Sequence, residues 1–270
     1  MEVYDYTDPV CPFCTEQYQK EPPVRAIPID RVLSKLDELL DRDNSAEAKR
    51  MLLYWLSEAR LGKDGRGEIT VLNELMGLCR TTGDRDNAFK YAEEGIALAK
   101  KDHWQSITGA TVALNAATVC KAFGEPKRAM ELYRHAQKIY EQYLSDDYRL
   151  GSLYNNMALA LAELGEYVEA EELYNKALCI MEKLPNREPE QAVTYLNIAD
   201  LVTARDGAEN AESRVNDCLD KAEELLEKAE IRDGKYAFVC EKCASVFGYY
   251  GRFAYEQILN ERVNEIYERT

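Results

Sequence analysis

The chain is short of positive charge, with 34 Lys and Arg against 49 Asp and Glu and a formal net charge of -15. Binding a polyanion requires a basic footprint, so nucleic acid and an anionic membrane surface are excluded as expected partners. No block of Lys and Arg offsets the deficit. Long apolar runs are missing too, and the first residues, MEVYDYTDPV, have neither the basic start nor the apolar core of a secretory leader. The expected location is the cytoplasm. Histidine is nearly absent: His103 and His135 stand alone. With no phosphate loop, nucleotide fingerprint, H-E-x-x-H motif or nucleophile elbow beside them, the expectation is a protein that is not an enzyme and needs no cofactor. Acidic residues are many but spread along helix exteriors, and the pairs Asp146–Asp147 and Glu171–Glu172 read as ordinary loop or surface features.

What the chain does have is a period. Ala88, Ala129, Ala170 and Ala211 stand 41 residues apart, and Gly95, Ala136, Ala177 and Cys218 keep the same interval. So do Ala117, Ala158 and Ala199, and so do Asn115, Asn156 and Asn197. A fixed period of this size is the signature of a helical repeat array. Small side chains at one place in every unit let neighbouring helices approach, because a bulky residue would hold their axes apart. The asparagine column has no such packing reason.

Helical periodicity divides the chain into pairs. Gly83, Gly124, Gly165 and Gly207 each close a first helix, and Asp84, Glu125, Glu166 and Glu209 follow where a helix N-terminus favours negative charge. The pairs run over about 67–101, 103–144, 147–183 and 188–229, with weaker pairs at 30–61 and 234–269 that read as terminal caps. The predicted fold is all-α, an α-solenoid of about six antiparallel helix pairs occupying 29–270 behind a tail, 1–28. Eight cysteines are compatible with reduced thiols, and five lie where the helical pattern wants a small apolar residue, Cys79 and Cys120 among them.

The order Asn156-Met157-Ala158, Gly165, Ala170, Tyr174, Ala177 resembles a tetratricopeptide repeat. Asn115-Ala116-Ala117, Gly124, Ala129, Tyr133 and Ala136 repeat it, and Asn197-Ile198-Ala199, Gly207, Ala211 and Cys218 do so with Val215 in the aromatic place. Residues 75–95 match least, with Met76 and Ala92 for a small and an aromatic residue. Against the usual unit of about 34 residues this one is longer by roughly two helical turns. Long units of this kind resemble those of kinesin light chains and bacterial peptide-sensing regulators. The resemblance implies a right-handed superhelix whose first helices line a concave groove for a peptide or flexible protein segment.

An amide carries both a donor and an acceptor, so an asparagine ladder in such a groove could pair with an extended backbone whatever its side chains. The bland alternative is a local hydrogen bond from each asparagine to a neighbouring helix or loop. The residues sharing that face complete the candidate peptide-binding set: Asn73, Arg80, Thr111, Asn115, Lys121, Ser152, Asn155, Asn156, Asn197 and Asp200. The pattern of lysines, arginine and asparagines with which family members grip acidic chaperone tails is not completed, since Ser152 and Asn156 stand where basic residues would be needed. The expected role is an adaptor or regulatory module that binds a protein or peptide.

Two alternatives remain open, and both rest on the tail. Its Pro9, Pro12, Pro22, Pro23 and Pro28 alternate with Tyr4, Tyr6, Phe13 and Tyr18, so it could dock in its own groove or in a partner's and hold a homodimer. Cys11-Pro12-Phe13-Cys14 resembles the dithiol of thioredoxin-like proteins, although no strand-helix-strand pattern surrounds it. Adventitious thiols are the plainer reading, with half of a zinc site second. The Cys240–Cys243 pair reads mostly as packing.

Overall fold

The computed structural model describes residues 24–42 and 44–269; the tail readings at Cys11 and Cys14 and at the tyrosines and prolines up to Pro23 lie outside the described residues. The described residues hold twelve α-helices and no strand. In chain order these are α1 (Ile29–Asp41), α2 (Ser45–Leu61), α3 (Gly65–Thr81), α4 (Arg85–Asp102), α5 (Ile107–Ala122) and α6 (Pro126–Tyr143). Then come α7 (Tyr148–Glu163), α8 (Tyr167–Met181), α9 (Glu188–Asp206), α10 (Ala208–Lys228), α11 (Gly234–Tyr249) and α12 (Phe253–Tyr267). Two compact units divide the chain, one ending at Leu75 and one beginning at Met76.

Local chemistry sets the helix boundaries. Gly83, Gly124, Gly165 and Gly207 all adopt φ between 72° and 81°, the left-handed region that a side chain disfavours. Gly251, at φ 80°, closes α11 in the same way, and Lys63 takes that role after α2 at φ 53°. Asp84, Ser106, Asp147 and Asp233 accept a backbone N–H in the first turn of α4, α5, α7 and α11. Glu125 and Glu166 stand at the cap position without a side-chain cap bond, where their charge favours the helix dipole, and Glu125 also takes Arg85 of α4 at 2.7 Å. Gly207 alone joins α9 to α10, serving as the last cap of one and the first of the other.

In the first unit Val32, Leu36 and Leu39 of α1 and Ala48, Leu52, Leu56 and Ala59 of α2 are buried at the spacings of one helical face. Backbone hydrogen bonds also hold the described residues before α1. Arg25 N–H donates to the Gly62 carbonyl at 2.9 Å, and Ile27 N–H donates to Oδ2 of buried Asp64 at 2.9 Å. Asp64 Oδ1 accepts Gly67 N–H at 2.9 Å, so one carboxylate straps the segment before α1 to the start of α3.

In the second unit each first helix packs on its own second helix and on the second helix of the pair before, from α4 through α9; α11 packs on α12 and on α9. The small-residue columns lie in these seams. Ala88, Ala129 and Ala170 are 0% exposed and Ala211 is 1%; Ala117, Ala158 and Ala199 are 0%. Tyr133 and Tyr174 fill the aromatic place at 0% and 1%. Cys79, Cys120, Cys218, Cys240 and Cys243 are buried, and Cys179 is exposed.

One sequence expectation needs correction. Glu171 is not an ordinary surface acid: its side chain is 18% exposed and takes both Arg205, at 2.5 Å, and Arg214. It ties α8 to α9 and α10 across the repeat boundary. Asp147 likewise caps α7 and holds Arg149 at 2.6 Å.

Candidate functional site

The predicted binding residues fall on first helices, and three of them, Asn115, Asn156 and Asn197, share one register, with the small-residue column two positions further on. Asn115 on α5, Asn156 on α7 and Asn197 on α9 are all half-buried, while Ala117, Ala158 and Ala199 are fully buried. A helix turns about 100° per residue, so that step of two carries the chain from the open face into the seam. Thr111, Lys121, Ser152 and Asn155 are half-buried on the same helices, and Asp200 on α9 is exposed. Arg80 is half-buried near the end of α3, whereas Asn73, also half-buried on α3, belongs to the first unit.

Neighbouring repeats meet along this face. Asn197 Nδ2 donates to Asn155 Oδ1 at 3.2 Å, joining α9 to α7. The bond spends one donor of Asn197 and one acceptor of Asn155, leaving the second amide proton and the carbonyl of Asn197 and both amide protons of Asn155. Asn156 and Ser152 make no side-chain hydrogen bond among the described residues. Lys121 Nζ stands 3.8 Å from Glu163 Oε1, and Lys121 is 19% exposed at its side chain.

Tyrosine hydroxyls support several of the remaining members from behind. Thr111 Oγ1 and Tyr140 Oη lie 2.8 Å apart, and Thr118 Oγ1 and Tyr133 Oη 3.3 Å. Tyr250 Oη donates to Asp200 Oδ1 at 2.8 Å and lies 3.1 Å from Thr203 Oγ1. Burial pushes the Tyr133 phenol up to about 12, so it stays a neutral hydrogen-bonding group at physiological pH. Burial also raises the Asp200 carboxyl above the usual aspartate range, against the opposing effect of the Tyr250 hydroxyl.

Three positions at this face escaped sequence reading. Tyr250 was hidden because its partners on α9 are about fifty residues away in the chain. Lys242 and Phe238 on α11 were hidden by a break in the period. In two earlier repeats the small residue precedes the closing glycine by seven, as Ala117 precedes Gly124 and Ala158 precedes Gly165; counted back from Gly251, that place is Ala244. The asparagine position is then Lys242, whose Nζ sits 4.0 Å from the centre of the Phe238 ring. Gly251 was the signal that could have found it.

The described cysteines offer no reactive thiol at this face. Burial pushes Cys120 and Cys218 up to about 11 and Cys243 to about 12, and an activated nucleophile needs the opposite shift. No cluster of His, Cys, Asp and Glu fit to hold a metal occurs among the described residues. None of their helices is long and apolar enough to cross a membrane.

Helical hairpins in register, seamed by alanine and closed by left-handed glycine, define an all-α repeat solenoid. Residues 149–224 match the tetratricopeptide repeat family model. Among solved structures the chain is similar to BtubC (BKLC) from P. vanneervenii, at 19% identity and TM-score 0.52, over 89% of this chain and 91% of that one. It is similar at 18% identity and TM-score 0.52 to the nearly identical TPR-like repeats of a Podosopora anserina protein designated a kinesin light chain, over 73% and 94%. The apo form of the quorum sensor NprR from B. thuringiensis matches at 14% identity and TM-score 0.53, over 87% of this chain and 64% of that one. At these identities the likeness bears on the fold. None of the curated proteins matches the chain.

Proposed function

We propose that this protein is a non-enzymatic adaptor or regulatory module whose first helices grip a peptide or flexible protein segment. The observation that carries the reading is the asparagine column: three half-buried amides at one register on α5, α7 and α9, beside a column that is fully buried. Amides so placed offer donors and acceptors to an extended backbone without demanding particular side chains, and threonine and serine hydroxyls flank them. The Asn155–Asn197 bond supports the same use, because it holds Asn197 of the column against Asn155 of the preceding repeat before a ligand arrives. The partner is a protein or peptide, in keeping with a surface whose net charge repels nucleic acid.

Capture from native lysate by wild type and by a variant carrying Asn115→Ala, Asn156→Ala and Asn197→Ala tests the reading. Partners retained by wild type and lost by the folded variant support it. Equal capture by both would show that the amides serve the solenoid and not a ligand.

A further inference from the structure

One further column of the first helices, Thr118, Leu159 and Asp200, keeps the interval of 41 residues and faces the aromatic place of each repeat. In the repeat of α5 and α6 the Tyr133 hydroxyl lies 3.3 Å from Thr118 Oγ1. In the next repeat Leu159 offers no polar atom, and Tyr174, a residue only 1% exposed, makes no hydrogen bond among the described residues. Arg187 Nε is the only fully enclosed side-chain nitrogen or oxygen without a partner among them, so the unpaired Tyr174 hydroxyl reaches solvent. Tyr174 belongs to α8, which packs on both α7 and α9. Its ring fills that seam, and its hydroxyl is left as a free polar group in the floor of the candidate face.

Asp200 supplies a charge beside it. Val215 stands in the aromatic place of that repeat with no hydroxyl to offer, and Tyr250 at the end of α11 takes over. Its Oη donates to Asp200 Oδ1 at 2.8 Å and lies 3.1 Å from Thr203 Oγ1, which orients the carboxylate. Asp200 Oδ2 has neither a hydrogen bond nor a cation within ion-pair distance among the described residues. Glu163 on α7, by contrast, has Lys121 at 3.8 Å. Asn197, one turn before Asp200 on α9, bonds Asn155 of α7 at 3.2 Å, so α7 and α9 are tied together at this part of the face. An acid without a counter-ion and a phenol without a partner both cost stability until a group rich in donors meets them. An anion would be repelled there, and a neutral amide would leave the carboxylate charge uncompensated.

We propose that Asp200, oriented by Tyr250 and flanked by the Tyr174 hydroxyl, is a cation subsite that receives a lysine or arginine side chain of the bound segment. The inference rests on the groove reading given above and adds the ligand's chemistry to it. An ammonium or guanidinium gives charge-assisted hydrogen bonds to the carboxylate, and the phenol oxygen accepts a further N–H. The net charge of -15 draws a basic segment toward the protein before contact, and the subsite then fixes its register against the asparagines.

The probe is a random decapeptide library displayed on phage and selected against the full chain as wild type, as Asp200→Asn and, to control for overall charge, as Glu172→Gln at an exposed position of α8. Circular dichroism establishes that each variant is folded. Wild type and Glu172→Gln are expected to enrich Lys or Arg at one position of the selected peptides, and Asp200→Asn to lose that enrichment. For a selected peptide, exchanging the enriched basic residue for glutamine should weaken binding to wild type about tenfold or more, and binding to Asp200→Asn by less than about threefold. Basic residues enriched at no fixed position, or an enrichment that survives Asp200→Asn or is lost equally in Glu172→Gln, would overturn the subsite while leaving the groove reading standing. Failure of wild type to select any peptide would overturn both.

Discussion

Replacing Ala170 by leucine adds three carbon atoms where the alanine side chain is 0% exposed and its counterparts Ala88, Ala129 and Ala211 are 0 to 1% exposed. The seam between helices has no room to absorb them, so axes must part or neighbours must leave their rotamers, at a cost of about 1 to 3 kcal/mol. Intrinsic helix preference cannot supply that figure, since leucine and alanine differ by only a few tenths of a kcal/mol in a helix. Urea unfolding followed by helical circular dichroism measures it directly. With a denaturant dependence of roughly 3 kcal/mol per molar for a chain of this size, the midpoint should fall by about 0.3 to 1 M. Ala170→Gly separates volume from backbone effects: it removes no packing partner larger than a methyl and should cost about 1 kcal/mol through helix propensity. Both substitutions should therefore destabilise, from opposite directions. A midpoint for Ala170→Leu unchanged within about 0.1 M, or raised, would show that the alanine column does not lie in a close-packed seam.

Tyr133 and Tyr174 share a repeat position, but Thr118 meets the first hydroxyl at 3.3 Å while Leu159 stands at the corresponding place in the next repeat. Tyr133→Phe should cost about 0.5 to 1 kcal/mol in unfolding experiments and Tyr174→Phe close to nothing; equal losses would contradict the pairing. Burial raises the Asp200 carboxyl, so its folded pKa lies above its unfolded value and its charge opposes folding once deprotonated. Asp200→Asn, which can still accept the Tyr250 hydroxyl, should raise the melting temperature at pH 7, and the gain should shrink as the pH falls below the usual aspartate range and wild-type Asp200 protonates. A gain that persists or grows in acid would refute this account. Asp64→Ala removes the acceptor of two backbone N–H groups, and amide exchange at Ile27 and Gly67 should accelerate along with a loss of about 2 kcal/mol or more. Unchanged exchange at Ile27 would mean the strap is dispensable.

Much of this fold was legible because repetition multiplies weak local signals. One glycine or alanine says little, but Gly83, Gly124 and Gly165 at a constant interval fix where helices end, and Ala88, Ala129, Ala170 and Ala211 fix which face is close-packed. The reading failed where the period broke. Gly251 stands 44 residues after Gly207, so the last pair drifted out of register and Lys242 went unnoticed at the asparagine position. It also failed where the determining partner is remote. The Asn155–Asn197 bond, the two arginines on Glu171 and the hold of Asp64 on Ile27 each join residues 34 to 43 positions apart in different elements, and no spacing rule announces them. Solvated acids and structural acids look alike in sequence; burial distinguishes Glu171 from its neighbour Glu172.

Calorimetric titration of a peptide from a partner captured by wild type into wild type and into the Asn115→Ala/Asn156→Ala/Asn197→Ala variant tests the groove most directly, with melting temperature recorded on the same samples. Each lost hydrogen bond should weaken binding by about 0.5 to 1.5 kcal/mol, so the triple variant should bind roughly tenfold to a thousandfold less tightly. Its melting temperature should stay near that of wild type, apart from the loss of the part-buried Asn155–Asn197 bond. Unaltered affinity in a variant that melts much earlier would contradict the account, and would assign the asparagines to the solenoid itself.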